Sequence, residues 1–251
     1  MSHLDSENPS RTSDSGCQLV VVQDYLQTCP YRDDATARMP LRLPIGTVTE
    51  DVVDDLLGLG YRRSGEFVYR TQCPACNECK PTRVPVAEFK MTSSFRRVLN
   101  RGDRELTHQW GPPVLDRYRV DMFNQHRSLR GLGSGELADV DQYRGFLVDT
   151  CCDTRELAIY KDSDLVAISI VDVGRNSTSA VYTHFLPDFS RYSLGTYAVL
   201  KQIQFAKETE REFVYLGMYV ADNSHLNYKA RYRPQQRLLD GEWQNIDDAP
   251  K

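Results

Sequence analysis

A chain of 251 residues with 40% apolar content and a net charge of -4 at pH 7 has room for one large folded unit or two small ones. Nothing in it approaches the ~18 consecutive apolar residues of a membrane span. Seven cysteines, an odd number with no secretory leader ahead of them, argue for reduced thiols in a cytoplasmic setting rather than a disulfide framework. Residues 1–16, rich in Ser and Asp with neither an apolar stretch nor a basic flank, read as a disordered tail and not as a signal peptide.

In chain order, residues 20–22 read as a short strand and residues 24–44, with three prolines, as loop. Thr47 and Glu50 have capping-box spacing ahead of a helix carrying Val52, Val53, Leu56 and Leu57, which Gly58 or Gly60 ends. Ser64-Gly65 separates two short strands, 61–63 and 67–70, as a hairpin. Residues 83–86 contain Pro85 and read as an edge strand. Ser93 or Ser94 caps a short helix bearing Arg96, Arg97 and Arg101. Gly111-Pro112-Pro113 marks a boundary. A helix over 114–128, a glycine-rich loop over 130–135 and a helix over 140–147 follow. Residues 156–161, 165–173 and 180–186, joined by short polar turns, predict an antiparallel meander. Ser193 caps a helix over 194–207, and 213–218 is a further strand.

The predicted organisation is a tail (1–16), a smaller cysteine-containing α/β unit (17–110) and a C-terminal unit (111–251). Meander, helix and strand in that order resemble the core of the GCN5-related acetyltransferase (GNAT-like) fold, so the fold class is α+β. In that fold the third strand and its helix splay from the last strand and leave a cleft for an acyl donor. Fold alone says no more than a possible acyl transferase.

Two features bear on chemistry. Cys73-Pro74-Ala75-Cys76-Asn77-Glu78-Cys79 is a C-x-x-C-x-x-C run, and Cys29 supplies a possible fourth thiolate. Four soft ligands suit a structural zinc ion or an iron–sulfur cluster; the same run is equally readable as reduced cysteines shaping a knuckle. Charge is also uneven. Between Arg62 and Arg104 ten basic residues face four acidic ones, and Lys229, Arg231, Arg233 and Arg237 follow one another without an intervening acid. Such stretches serve nucleic-acid backbones or form a solvated face.

The run from Tyr69 through Val86 resembles the N-terminal signature of the aminoacyl-tRNA–protein transferases. Ser190-Arg191-Tyr192-Ser193-Leu194-Gly195-Thr196-Tyr197, then Tyr215-Leu216-Gly217, then Asn227-Tyr228-Lys229-Ala230-Arg231-Tyr232-Arg233-Pro234 resemble the C-terminal half of that family. Chain length and cysteine spacing are most similar to the bacterial aspartate/glutamate leucyltransferases. The resemblance implies transfer of leucine from leucyl-tRNA to the α-amine of proteins beginning with Asp or Glu, and entry of the product into N-degron proteolysis. The sequence departs from the family at Phe185-Leu186-Pro187-Asp188, where relatives usually have an aspartate before the proline. It departs again at Met218, where an aromatic is usual, and at Ser224-His225-Leu226-Asn227.

An aminoacyl ester is already activated, so no ATP loop is needed and none is present. Tyr182, His184 and Asp188 are candidates for a proton relay, against a core role for Tyr182 and His184. Ser193, Gly195 and Thr196, with Arg191, open the central helix where the tRNA terminus is expected. Tyr228 and Lys229 are candidates to hold that terminus. Arg70, Arg83, Arg231 and Arg233 are candidates to read the acceptor carboxylate, with Arg70 favoured and Arg231 second. Open alternatives are an arginyl-tRNA-dependent transferase, an acyl-CoA-dependent N-acetyltransferase and a non-enzymatic zinc-ribbon nucleic-acid module.

Overall fold

The computed structural model describes residues 16–33, 35–131 and 135–246. The expected tail, apart from Gly16, and residues 132–134 of the expected glycine-rich loop lie outside them. An eight-stranded sheet organises the molecule. Its strands are β7 (Lys80–Pro85), β8 (Thr107–Gly111), β9 (Thr154–Lys161), β10 (Asp164–Val173), β11 (Ser177–Phe185), β12 (Phe213–Tyr219), β13 (Gln235–Leu239) and β14 (Glu242–Ile246). Their order is β14-β13-β7-β12-β11-β10-β9-β8. β9, β10 and β11 form the expected meander. β10 is buried along all but its first residue, as a strand covered on both faces must be.

Neighbouring residues of one strand feed opposite faces. On one face Leu157, Ile159, Val166, Val214 and Leu216 pack with α2 (Ser93–Glu105) and α5 (Leu194–Glu208). On the other face Ala158, Ile168 and Ile170 pack under α3 (Arg117–Leu129) and α4 (Val140–Tyr143). On that second face Tyr215 meets Val53 and Leu57 of α1 (Glu50–Gly58). α1 belongs to a smaller unit with a four-stranded sheet, ordered β1 (Gln18–Gln23), β4 (Leu41–Ile45), β6 (Phe67–Tyr69), β5 (Arg62–Ser64). α3 and the small unit therefore stand side by side on one face. The small unit touches this side where the Gly65 amide donates to Phe146 O, in the turn after α4, at 3.3 Å. Gly65 has φ +61°, and a Cβ there would lie 2.0 Å from Gly145 O, so this contact requires glycine.

Several expectations are corrected. Residues 24–44 are not loop throughout. They contain β2 (Leu26–Thr28) and β3 (Thr36–Arg38), paired with each other, and β4, which pairs with β1 and β6. β7 is interior, not an edge. Its second neighbour β13 registers only with Thr82 and Arg83, so Pro81 and Pro85 are never asked for an amide on that side. Helix α1 is capped by Thr49, whose Oγ accepts from Val52 N at 3.3 Å, two residues after the expected Thr47. α2 is capped by Thr92 rather than by a serine. α3 starts later than expected, with Asp116 as its cap, because the Val114 amide is tied to Glu156 at 3.2 Å. The helix expected over 140–147 is α4 followed by a wide π turn, Arg144–Val148. The expected division at 110/111 falls within β8, and β7 and α2 belong to the large sheet and its cover.

Candidate active site

β11 and β12 are parallel and pair at only three positions, Ser177 with Phe213, Thr178 with Val214 and Ser179 with Tyr215. Beyond these the two strands part. A register shift at Val181 on β11 and another between Tyr215 and Gly217 on β12 accompany the parting. α5 begins at this opening. A Cβ on Gly195 would meet the Phe185 ring at 3.5 Å, and Thr196 lies against the Tyr232 phenol. The basic helix α2 adjoins the same place, with Arg101 Nη1 donating to Arg191 O at 2.6 Å. Arg191 itself is exposed and pairs with Glu105 at 3.5 Å. Ser193 sits in the left-handed region at φ 52°, and its side chain caps nothing. The expected serine cap is thus absent, and the hydroxyl is left free at the helix start.

The far side of the opening is made by residues 220–232. Lys229 is 7% exposed and donates Nζ to Met218 O at 2.6 Å. Gly217, at φ +82°, lies against that chain. Burial, then the nearby Arg62, push the Lys229 ammonium down to about 7. Tyr228, 39% exposed, has its ring 5.9 Å from Lys229 Nζ. The connecting loop ties two distant elements together. Asn223 Nδ2 donates to Tyr31 O at 2.9 Å, and His225 Nδ1 lies 3.5 Å from Arg130 Nη2.

Among the relay candidates, His184 is wholly enclosed. It is flanked by Phe123, Tyr143 and Tyr182, with Nε2 3.5 Å from the Tyr143 hydroxyl. Burial pushes it down to about 3, so it is a neutral core imidazole. Tyr182 lines an open cavity, and Asp188 is exposed on the turn Pro187–Tyr192. Leu186, in the position of the usual aspartate, packs against the apolar layer under α3. Among the carboxylate-reading candidates, Arg83 is held by Gln236 at 2.7 Å and Tyr215 at 3.0 Å, over the Trp243 ring. Arg233 donates to the carbonyls of Ala230 and Ile246. Arg70 stacks on Tyr61 and Arg231 on Phe95.

The cysteines share a neighbourhood. Burial first, then the charges of Cys29, Cys73 and Cys76, push the Cys79 thiol up to about 12. Cys73 Sγ accepts from Arg38 N at 3.5 Å, and Cys76 Sγ from Arg32 Nη1 at 3.8 Å. The donor chemistry fits a thiophilic ion. Yet among the described residues no three His, Cys, Asp or Glu side chains are arranged to hold one.

The family described as arginine-tRNA-protein transferase matches this chain in two parts, its N terminus over residues 27–97 and its C terminus over residues 118–239. An aspartate/glutamate leucyltransferase of Acinetobacter baumannii is 37% identical over 222 residues, which cover 87% of this chain and 81% of that protein. This chain belongs to the aminoacyl-tRNA–protein transferase family. Another relative, the aspartate/glutamate leucyltransferase of Chromobacterium violaceum, is 34% identical over 222 residues, covering 88% and 91%. Among solved structures, L-PGS from Bacillus licheniformis is a distant likeness, with a TM-score of 0.46 at 13% identity over 80% of this chain and 70% of its own. As a member of this family the chain is an aminoacyltransferase.

Four residues at or near this opening were missed by sequence reasoning. His126 Nδ1 approaches Phe185 O and N at 3.2 and 3.3 Å and holds the end of β11. Arg127 on α3 and Arg130 at its C-terminal cap bear on Tyr182. Arg62 is buried beneath Tyr215, its Nε and Nη2 without hydrogen-bond partners. No motif marks them. Helical spacing placed Arg127 and Arg130 near one another, but not what they face.

Proposed function

We propose that this aminoacyltransferase moves leucine from leucyl-tRNA to the N-terminal α-amine of proteins that begin with Asp or Glu, marking them for N-degron-dependent degradation in the cytoplasm. The observation that carries the reading is the match to relatives named for this activity across 87% of the chain, with the strands of the expected donor cleft parting beside α5. Among the described residues no helix is long and apolar enough to cross a membrane.

The neutral α-amine attacks the ester carbonyl, and the tetrahedral intermediate collapses with cleavage of the C–O bond to the terminal ribose. An amide forms, and the amine proton passes to the departing ribose hydroxyl. An α-amine with a pKa of roughly 7.7–8 is partly neutral at cell pH, so positioning supplies most of the rate gain. The free amides of Leu194, Gly195 and Thr196, with Ser193 and Arg191, serve the tRNA terminus. Arg96, Arg97 and Arg101 of α2 serve its phosphates. Tyr228 stacks on the terminal base while Lys229 fixes the β12 edge from within. Asp188, exposed, and Tyr182, half-buried on an open cavity, remain the candidates for moving a proton.

The cysteine loop, on this reading, takes one zinc ion or an iron–sulfur cluster with a structural role, through Cys29, Cys73, Cys76 and Cys79. Its support is the soft donor set and the bearing of Cys29, Cys73 and Cys76 on the Cys79 thiol. Metal analysis of anaerobically purified protein should find about one zinc, or iron with sulfide, per chain, and fully active metal-free protein would overturn this part. The transfer itself is tested with radiolabelled leucyl-tRNA, arginyl-tRNA or acyl-CoA and a peptide starting with Asp. Label is expected in the peptide from leucyl-tRNA alone. Label from arginyl-tRNA would reassign the donor, and label from acyl-CoA would reassign the class.

A further inference from the structure

Arg83 and Arg233 are held by hydrogen bonds within the fold and Arg70 and Arg231 stack on core rings, while the acceptor carboxylate needs a cation that faces a cavity. α3, α4 and the turn after α4 offer a direct comparison. Arg119 binds Glu156 and Asp116, Arg117 binds Asp121, and Arg144 binds Asp141. Arg127 and Arg130 have no carboxylate within ion-pair distance among the described residues. Arg127 lies over the Phe123 ring at 5.2 Å. Arg130 lies over Phe185 at 5.9 Å, at the parted end of β11. Both bear electrostatically on the Tyr182 phenol.

Arg127 also lines an open cavity of about 340 Å³ shared with Phe123, Glu136, Gln142, Phe146 and Tyr182. Phe123 and Phe146 stand 5.4 and 5.6 Å from Tyr182, giving the cavity an aromatic floor. Glu136 is on its rim and does not pair with Arg127. The cavity thus presents a cation and an anion that do not satisfy each other, over an apolar floor. That is the complement of an acidic residue with a free α-amino group. It also lies on the face of β11 opposite α5, so an acceptor seated here would approach the opening from the side away from the helix start.

We propose that Arg127, supported by Arg130, reads the side-chain carboxylate of the acceptor's N-terminal Asp or Glu above the floor formed by Phe123, Phe146 and Tyr182. The proposal rests on the leucyl-transfer reading and assigns its acceptor specificity to residues outside both signatures. On this proposal Arg127, rather than Arg70 or Arg231, fills that role.

The test compares kcat/KM for Asp- and Asn-starting peptides, with leucyl-tRNA as donor, in wild type and in Arg127→Gln, Arg127→Lys and Arg130→Gln. Arg127→Gln is expected to lower kcat/KM for the Asp peptide by about tenfold or more, mainly through KM, and to leave the Asn peptide nearly unchanged. Arg127→Lys keeps the charge without the planar fork and should fall between. Arg130→Gln should give the smaller loss. An undiminished Asp-over-Asn ratio in Arg127→Gln overturns the assignment. So does an equal loss for both peptides accompanied by weaker tRNA binding, which would make Arg127 a phosphate contact. Failure of wild type to label the Asp peptide at all would instead remove the leucyl-transfer reading beneath it.

Discussion

Arg62 and Arg63 are adjacent on β5, both more than nine-tenths buried, and the fold treats them oppositely. Arg63 turns toward β10 and meets Asp172 with Nε at 2.8 and 2.9 Å, while its Nη1 reaches the carbonyls of Gly65 and Asp149. Thr154 completes the carboxylate at 2.8 Å. Arg62 turns the other way, beneath Tyr215, with one carbonyl bond to Tyr61 O at 2.6 Å. Beside it is Lys229, another buried cation. Burial pushes the Arg62 guanidinium down to about 10, a depression that no carboxylate among the described residues offsets. One region answers its buried charge and clamps the small unit to the large sheet. The other leaves charge unanswered next to the cysteine loop and the opening. Unanswered buried charge costs stability, and enzymes keep it where chemistry or binding needs it.

The sharpest way to break this contrast is Asp172→Ala, which strands Arg63. Urea unfolding should show a loss of about 3–5 kcal/mol; a loss below about 1 kcal/mol would mean the pair does not clamp the units. Next is the pH dependence of the unanswered region. Lys229 is held near 7 when folded, below the roughly 10.4 of an unfolded lysine. Between those values the unfolded chain binds the extra proton, so stability rises with pH, and the contribution is lost as pH falls through about 7. The difference in stability between wild type and Lys229→Met should therefore shift by about 2 kcal/mol between pH 7 and 9. A pH-independent difference would show that Lys229 is solvated. Arg62→Met should then raise stability by about 1 kcal/mol, since it removes two unpartnered donors. A loss larger than about 2 kcal/mol would place a hidden partner beside Arg62. The smallest effect is expected at His184, a buried neutral group that belongs to neither class. His184→Phe should leave the shape of the kcat–pH profile unchanged and kcat within a few-fold; loss of one limb of that profile would restore His184 as a base.

The meander, the central helix and the strand after it were legible because each has the period of its element and is bounded by turn residues. The hairpin at Ser64-Gly65 was legible for the same reason. β4 was hidden by its proline, Pro44. β7 looked like an edge because sequence does not say which neighbour demands an amide, and here β13 asks only at Thr82 and Arg83. At the site, the helix start at Ser193–Thr196 and the signature Tyr228-Lys229 were placed at the opening, but the direction of Lys229, inward to Met218 O, was not readable.

Local pattern by itself determined the fold class, the order of the core elements and, through the two signatures, the family. Which cations are neutralised was decided only by the tertiary structure. Arg63 finds Asp172 across 109 positions of chain, whereas Arg62, one residue away, faces Tyr215. Among the described residues Arg127 and Arg130 meet no carboxylate, while Arg117 and Arg119 on α3 find acids. Periodicity fixes which face of an element a residue occupies. The partner waiting on that face comes from distant chain, and the free energy of a buried charge depends on that partner.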